Sequence, residues 1–133
     1  MKEKILLVED NVDLRELMQV FLTYRGYRVL HAQSGFEAVE TAGAELPDLV
    51  VTDVLLRDMD GVEVALELRK NAKTCHIPIL ALTGKSFKDN DGVIAKVFND
   101  FLLKPANLHQ LEAKIQKLLK EFGRKHKPKE IPF

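Results

Sequence analysis

Short apolar runs alternate with amphipathic stretches along this chain, and the alternation limits the folds that the chain can adopt. Runs of this length that are rich in β-branched residues are typical of strands buried on both faces of a sheet. Strand and helix alternate throughout, which predicts an α/β protein with a parallel five-stranded sheet and helices on both faces. The predicted strands cover residues 4–8, 27–31, 49–53, 77–82 and 101–103.

The stretches between the strands carry apolar residues at the i, i+3, i+4 spacing of helices that pack on one face. Residues 86–98 are the least regular stretch, because Asn90 and Gly92 interrupt any helix there. Asp60 and Glu63 predict a capping box for the third helix, which we expect to end near Ala72. The residues expected to face the core are Leu14, Leu17, Met18, Phe21 and Leu22 in the first helix, Phe36, Val39 and Ala42 in the second, Val62, Ala65 and Leu66 in the third, and Leu108, Leu111, Ile115, Leu118, Leu119 and Phe122 in the last.

Polar side chains stand at the carboxyl ends of the predicted strands. Glu9 and Asp10 follow the first strand, and Asp53 ends the third. Thr83 and Lys104 follow the fourth and fifth strands. Right-handed crossovers place the carboxyl ends of all parallel strands at one edge, which is where open α/β sheets bind ligands. We therefore expect these side chains to meet around one pocket.

This set of residues predicts a phosphoryl group on Asp53. A carboxylate can attack phosphorus to give an acyl phosphate. The transfer depends mainly on positioning and on neutralising charge. The ammonium of Lys104 and the hydroxyl of Thr83 can both donate hydrogen bonds to phosphoryl oxygens.

The crowded acids also predict a cation. Carboxylates that lie close together repel each other, and a hard divalent cation relieves that repulsion. Mg²⁺ takes oxygen ligands and commonly uses one or two carboxylates together with a phosphate oxygen. We expect Asp10 and Asp53 to bind it, with the Leu55 carbonyl as a third ligand and Glu9 acting through water.

Some of these acids have other roles open to them. Asp10 stands where it could cap the first helix, and Asp60 is better placed to cap the third helix than to bind a metal. A second class of function would use Glu9 with Asp58 and Asp60, as in a Mg²⁺-dependent nucleic-acid enzyme of the topoisomerase-primase type. That alternative leaves the acid, hydroxyl and lysine at the other strand ends unexplained.

Over residues 4–121 the chain resembles the receiver domain of bacterial two-component response regulators. The resemblance implies a flavodoxin-like, doubly wound (βα)5 fold with strand order 2-1-3-4-5. It also implies that the peptide bond between Lys104 and Pro105 is cis. One departure is Arg57, which stands where relatives often carry proline and adds a positive charge near the mouth of the site. The matching segments are LLVEDN at 6–11, LVVTD at 49–53, DG at 60–61, LT at 82–83 and DFLLKP at 100–105.

The resemblance assigns roles to the strand-end residues. It implies that Asp53 accepts a phosphoryl group from a histidine kinase or a histidine phosphotransfer protein, and that the chain turns over no external substrate. Thr83 and Lys104 are implied to contact the phosphoryl group. Thr83 and Phe101 are implied to move, which switches the face formed by the fourth helix, the fifth strand and the fifth helix. The implied Mg²⁺ ligands are Glu9, Asp10, Asp53 and the backbone carbonyl of Leu55.

The implied partners of the switched face are a downstream protein, a fused output domain outside these residues, or a second copy after phosphorylation. A receiver that is never phosphorylated and serves only as an interaction module is the remaining alternative.

We expect one receiver domain over residues 1–122 and a basic, proline-containing tail or linker over 123–133. The zero net charge and the lack of a long apolar segment predict neither nucleic-acid nor membrane binding, and the single cysteine agrees with a reducing cytoplasm.

Overall fold

A five-stranded sheet with helices on both faces forms the protein in the computed structural model, which describes residues 2–84, 92, 96–105 and 107–122. Most of the fourth predicted helix and the whole predicted tail lie outside these described residues. We call the last helix the C-terminal helix. The strands are β1 (Lys4–Val8), β2 (Arg28–Ala32), β3 (Leu49–Asp53), β4 (Ile79–Thr83) and β5 (Asp100–Leu103), and the helices are α1 (Val12–Tyr24), α2 (Gly35–Glu45), α3 (Gly61–Lys70) and the C-terminal helix (Leu108–Phe122).

The sheet is parallel, and its strand order is β2-β1-β3-β4-β5, as the family resemblance implied. This is the flavodoxin-like doubly wound arrangement, in which the strand order changes direction between β1 and β3. The pairing aligns Val8 with Thr52 and Asp53 with Leu82. The carboxyl ends of the three central strands therefore lie side by side at one edge of the sheet.

The core lies in two layers because successive side chains of a strand point to opposite faces of the sheet. Leu6 and Val50 pack on the face covered by α2 and α3. Leu7 and Val51 pack on the other face, under α1 and the C-terminal helix. All five residues of β3 are buried, so Asp53 ends a strand that has no solvent-facing side. None of the described helices combines the length and apolar character that crossing a bilayer requires.

The predicted core faces of the helices are only partly right. In α1, α2 and α3 the buried residues follow an i, i+3, i+7 seam, and several predicted core residues lie one position to the side of it. Exposure of an apolar residue beside such a seam is ordinary, because apolar atoms contribute more than half of the accessible surface of a folded protein. The predicted core residues that are exposed are Leu17 (54%), Phe36 (66%), Leu66 (41%) and, at the end of the C-terminal helix, Phe122 (44%).

The helix caps decide which acids remain available to the pocket. Asn11 caps α1, since its side chain accepts a hydrogen bond of 3.0 Å from the backbone N–H of Leu14. Asp10 is therefore not the cap. The predicted capping box of α3 is confirmed: Asp60 accepts from the N–H of Glu63, and the Glu63 side chain accepts in return.

Candidate functional site

Lys104 and Asp53 make direct contact at the carboxyl edge of the sheet. The Nζ of Lys104 lies 2.6 Å from Oδ2 of Asp53 and 3.3 Å from Oε1 of Glu9. The backbone N–H of Lys104 donates to the carbonyl of Thr83 at 2.7 Å, which holds the lysine beside the end of β4. The peptide bond between Lys104 and Pro105 is cis, as the resemblance implied. Residues that are 51 and 95 positions from Lys104 in sequence thus meet at one amine.

Three carboxylates form the acidic part of this site. Within the described part of the chain, Glu9, Asp10 and Asp53 are the one group whose carboxylate oxygens come within 4.8 Å of one another. Glu9 is 1% exposed, and Asp53 is also buried. Burial, together with the charge of Asp53, raises the pKa of Glu9 despite hydrogen bonds from Asn11 and Lys104. The charged form of Glu9 is therefore disfavoured by its burial and by the neighbouring acid.

Lys104 keeps its positive charge beside these acids. Burial alone lowers the pKa of a lysine, but the hydrogen bond and charge of Asp53, with those of Glu9, outweigh burial and raise the pKa of Lys104. The lysine is thus a fixed cation at neutral pH. Lys104 contacts two of the three acids, Glu9 and Asp53, and an all-oxygen donor set of this kind is what Mg²⁺ prefers.

Thr83, Leu55 and Phe101 are the remaining residues predicted for the site. Thr83 is the last residue of β4 and is buried, one position beyond the residue that pairs with Asp53. The backbone N–H of Leu55 donates to Oδ1 of Asp53 at 3.1 Å, so the loop after β3 folds back on the acid. Phe101 is 54% exposed on β5. Their chemical roles stay predictions.

Gly61 fixes the loop between β3 and α3 against the end of β3. Its backbone N–H donates to the Val54 carbonyl at 2.6 Å. A β-carbon at this position would press on the backbone carbonyl of Asp53 and would lie 2.8 Å from the α-carbon of Val54. The close approach of the two backbones therefore requires glycine at position 61.

Asp58 and Asp60, the acids of the nucleic-acid-enzyme alternative, are engaged elsewhere. Asp58 accepts hydrogen bonds from the N–H groups of Gly35 (2.9 Å) and Phe36 (3.1 Å) at the start of α2. The hydrogen bond from Gly35, and then that from Phe36, contribute to lowering the pKa of Asp58. Asp60 caps α3. Neither acid belongs to the group of three carboxylates, so the structure gives that alternative no support.

Two arginines contact the acidic residues in ways that the sequence did not predict. Arg15 is buried in α1, and its Nη1 donates to the carbonyl of Glu9 at 2.7 Å. Arg57 places its Nε 3.7 Å from Oδ2 of Asp10. The charge of Arg57 was visible in the sequence, but its partner lies 47 positions away, and no local spacing pairs the two.

We expect Glu9→Gln to stabilise the metal-free protein at neutral pH. Because the pKa of Glu9 is raised in the folded state, ionisation of Glu9 costs stability, and this cost grows as pH rises through the folded pKa. Below its ordinary pKa of 4.5 the carboxyl group is protonated in both states and the cost vanishes. Thermal unfolding in EDTA, followed over a series of pH values, measures the difference between the two proteins.

Excess Mg²⁺ should reverse the order, since a ligand that binds the folded state stabilises the protein with the more intact site. Glu16→Gln, an exposed acid on α1 outside the cluster, is the control and should show neither effect. A Glu9→Gln advantage that is independent of pH would contradict this account.

Comparison with known proteins places these features in context. A family model described as the response regulator receiver domain matches residues 5–116. PhoP of Bacillus subtilis (strain 168), an alkaline phosphatase synthesis transcriptional regulatory protein, is 36% identical over 122 residues, which are 90% of this chain and 50% of that protein. The response regulator MprA of Mycolicibacterium vanbaalenii is 36% identical over 121 residues, covering 90% of this chain and 52% of MprA. The chain thus spans about half the length of these relatives.

Solved structures give the same picture for the fold. The chemotaxis response regulator CheY4 of Vibrio cholerae superposes with a TM-score of 0.83 at 28% identity, covering 90% of this chain and all of that chain. The receiver domain of sensor histidine kinase PA1611 from Pseudomonas aeruginosa PAO1 has a TM-score of 0.82 at 29% identity, covering 90% of this chain and 99% of that chain. That structure has a magnesium ion coordinated in its active site cleft.

Proposed function

This chain belongs to the response regulator receiver domain family, and from that membership we propose that Asp53 accepts a phosphoryl group from a histidine kinase or a histidine phosphotransfer protein. The observation that carries the proposal is the contact of 2.6 Å between Lys104 and Asp53, beside two further acids from the end of β1. A buried acid with a fixed cation on one side and other carboxylates on the other suits a nucleophile for phosphorus.

The reaction forms one bond and breaks one. A carboxylate oxygen of Asp53 bonds to phosphorus, the phosphorus–nitrogen bond of the donor phosphohistidine breaks, and its electron pair stays on the imidazole nitrogen. Lys104 is close enough to remain beside the acid and neutralise charge on the phosphoryl oxygens. The N–H of Leu55 orients the carboxylate through Oδ1. A positioned hydroxyl at the end of β4, that of Thr83, can donate to another phosphoryl oxygen.

The receiver family binds Mg²⁺ at an acidic pocket, and the donor set of this chain fits that ion. We assign Asp10, Asp53 and the Leu55 carbonyl as ligands, with Glu9 contributing through water. When bound, Mg²⁺ supplies positive charge that neutralises the acids and the phosphoryl oxygens. Burial, with the charge of Asp53 added to it, raises the pKa of Glu9, and a cation at this site would favour the charged form of both acids.

Phosphorylation is proposed to switch the protein rather than to turn over a substrate. The phosphoryl group carries a charge of about −1.5 to −2. It replaces the single charge of the Asp53 carboxylate, so the negative charge at the end of β3 rises and is moved outward onto the phosphoryl oxygens. Thr83 would follow that charge, and Phe101, now exposed on β5, would turn inward. The affected surface is the predicted fourth helix, β5 and the C-terminal helix, and most residues of that predicted helix lie outside the described part of the chain. Two-state elements biased by a local charge are the usual basis of such switches.

The downstream partner is proposed to be a protein, an output domain beyond these residues, or a second copy of the chain. PhoP, which is named as a transcriptional regulator and is about twice as long, illustrates the second arrangement. We place the receiver domain at residues 1–122, the tail or linker at 123–133, and the protein in the cytoplasm.

Phosphorylation by a small donor tests the proposal directly. The wild-type protein, incubated with Mg²⁺ and acetyl phosphate, should gain the mass of one phosphoryl group, stable in acid and lost in base. Peptide mapping after reduction with borohydride should place the group on Asp53, and EDTA should prevent it. No adduct together with no Mg²⁺ binding would instead indicate an interaction module that is never phosphorylated.

A further inference from the structure

Arg57 sits on a loop whose backbone is held on both sides of it. Leu56 packs against the core layer under α2 and α3. Asp58 accepts two backbone hydrogen bonds from the start of α2. The side chain of Arg57 is 87% exposed but directs its Nε towards Oδ2 of Asp10, 3.7 Å away. The backbone on both sides of Arg57 is therefore held close to the acidic cluster, while its side chain remains largely exposed.

The two basic residues at the site divide the acids between them. Lys104 contacts Asp53 and Glu9, the two most buried carboxylates. Arg57 contacts Asp10, whose side chain is 21% exposed. Asp10 is also one of the three acids whose oxygens come together. Asp10 is a proposed ligand of the divalent cation, and the Arg57 guanidinium already lies beside its Oδ2.

We propose that Arg57 competes with the divalent cation for Asp10 and thereby sets the Mg²⁺ concentration at which the site fills. In the metal-free protein the guanidinium supplies part of the positive charge that the acids lack. Binding of the cation requires Arg57 to release Asp10, and the released guanidinium stays nearby as a like charge. The inference rests on the metal site of the proposed function, but not on phosphorylation.

The simpler explanation is that the ion pair between Arg57 and Asp10 only stabilises the loop. The other contacts of the loop make that role unnecessary. The loop is already fixed by other contacts: Leu56 packs on the core, and Asp58 accepts two hydrogen bonds from the start of α2. Asp60 caps α3, and Gly61 donates a backbone hydrogen bond. An ion pair at 3.7 Å with one exposed partner adds little to such a frame. Both the lost pairing and the charge repulsion from Arg57 would oppose binding of a divalent cation, so the ion pair acts on the cation as well as on the loop.

Mg²⁺ titration of the wild type and Arg57→Gln by calorimetry measures the effect. We expect Arg57→Gln to bind Mg²⁺ about two- to fivefold more tightly, the range that an exposed ion pair supports. Arg57→Lys, which keeps the charge, should bind nearly as the wild type does. Arg28→Gln removes an equal charge from the exposed start of β2, at the opposite edge of the sheet, and should leave the affinity unchanged.

The salt dependence separates this mechanism from a change in structure. The advantage of Arg57→Gln should shrink as KCl shortens the screening length from about 10 Å to about 3 Å. Equal affinities for wild type and Arg57→Gln, weaker binding by the variant, an equal gain in Arg28→Gln, or no Mg²⁺ binding by the wild type would each overturn the inference. A clear affinity shift without any phosphoryl adduct on the wild type would instead remove the proposed function and leave the role of Arg57 standing.

Discussion

Asp53→Asn should abolish the phosphoryl adduct that the wild-type protein gains from acetyl phosphate and Mg²⁺. The amide has nearly the shape of the carboxylate but lacks its negative charge and its nucleophilic oxygen. Lys104 would lose its contact with a charged partner at 2.6 Å but keep Glu9 at 3.3 Å, so we expect the fold to persist. Intact mass spectrometry measures the adduct, and circular dichroism with thermal unfolding checks the fold.

Asp58→Asn is the matched control for that experiment. Asp58 lies in the loop that follows the same strand, but it binds the start of α2 and stands outside the acidic cluster. Asparagine keeps one of the two acceptor oxygens at the start of α2, so this variant should keep its fold, with a small loss of stability, and its adduct. A base-labile adduct of equal yield on Asp53→Asn would remove Asp53 as the acceptor, and loss of the adduct in Asp58→Asn would show that the loop, not only Asp53, controls the reaction.

The strand ends were the most predictable part of this molecule. A parallel sheet brings the carboxyl ends of its strands to one edge whatever the conformation of the loops. The proximity of Asp53, Glu9 and Lys104 could therefore be predicted from the strands alone. The contacts of Lys104 with Asp53 and Glu9 confirm that convergence. The strand order itself came from the family resemblance, because alternating strands and helices are compatible with several orders.

Side-chain burial on the helices was less predictable for a physical reason. The sequence shows that Leu17 and Met18 are both apolar, but only the position of α1 on the sheet decides that Met18 is buried and Leu17 is 54% exposed. In α2 the buried seam includes small residues, Gly35 and Ala38. Phe36 is larger and more apolar than either, so the sequence pattern assigned Phe36 to the core instead.

Polar contacts between distant residues were not predictable at all from local spacing. Asp58 accepts hydrogen bonds from the start of a helix that begins 23 positions earlier in the chain. In the sequence, Asp58 cannot be told apart from any other acidic loop residue. Arg15 would ordinarily be assigned to the solvent face of a helix, yet it is buried and bonded to the carbonyl of Glu9. Such contacts depend on the register between elements, which no pattern within one element contains.

The burial of Asp53 also explains why the site is crowded with charge. All of β3 is buried, so ionised Asp53 has little water to stabilise it. A buried carboxylate is tolerated when it is paired and hydrogen-bonded. Lys104 provides the pair and Leu55 N–H provides a hydrogen bond. The same low-water environment strengthens every interaction with a phosphoryl group, which links the stability of the strand end to its chemistry.

Among the glycines that the structure describes, Gly61 is the one at which substitution by alanine should be most damaging. The added β-carbon would press on the carbonyl of Asp53 and lie 2.8 Å from the Val54 α-carbon, and backbone atoms cannot move aside as a flexible side chain can. We expect a loss of about 3 kcal/mol in the free energy of unfolding, at the upper end of overpacking costs. The midpoint of thermal unfolding should fall by about 10 °C for a domain of this size.

Gly43→Ala separates a steric effect at Gly61 from a general effect of adding a methyl group to a glycine. Gly43 lies inside α2, and a β-carbon there would meet no atom within 4 Å. Replacing a helix-interior glycine by alanine should stabilise the protein by about 0.5–1 kcal/mol. The two substitutions should therefore shift the unfolding midpoint in opposite directions.

The function of the Gly61→Ala protein tests whether backbone contact really positions the acceptor. If relief of the clash moves Asp53 by as little as about 1 Å, phosphorylation of the folded protein should slow by up to about a hundredfold. Rates measured well below the unfolding midpoint exclude loss through unfolding. A destabilised Gly61→Ala protein that is phosphorylated at the wild-type rate would show that the clash is absorbed by α3, and that the end of β3 is held by its neighbouring strands alone.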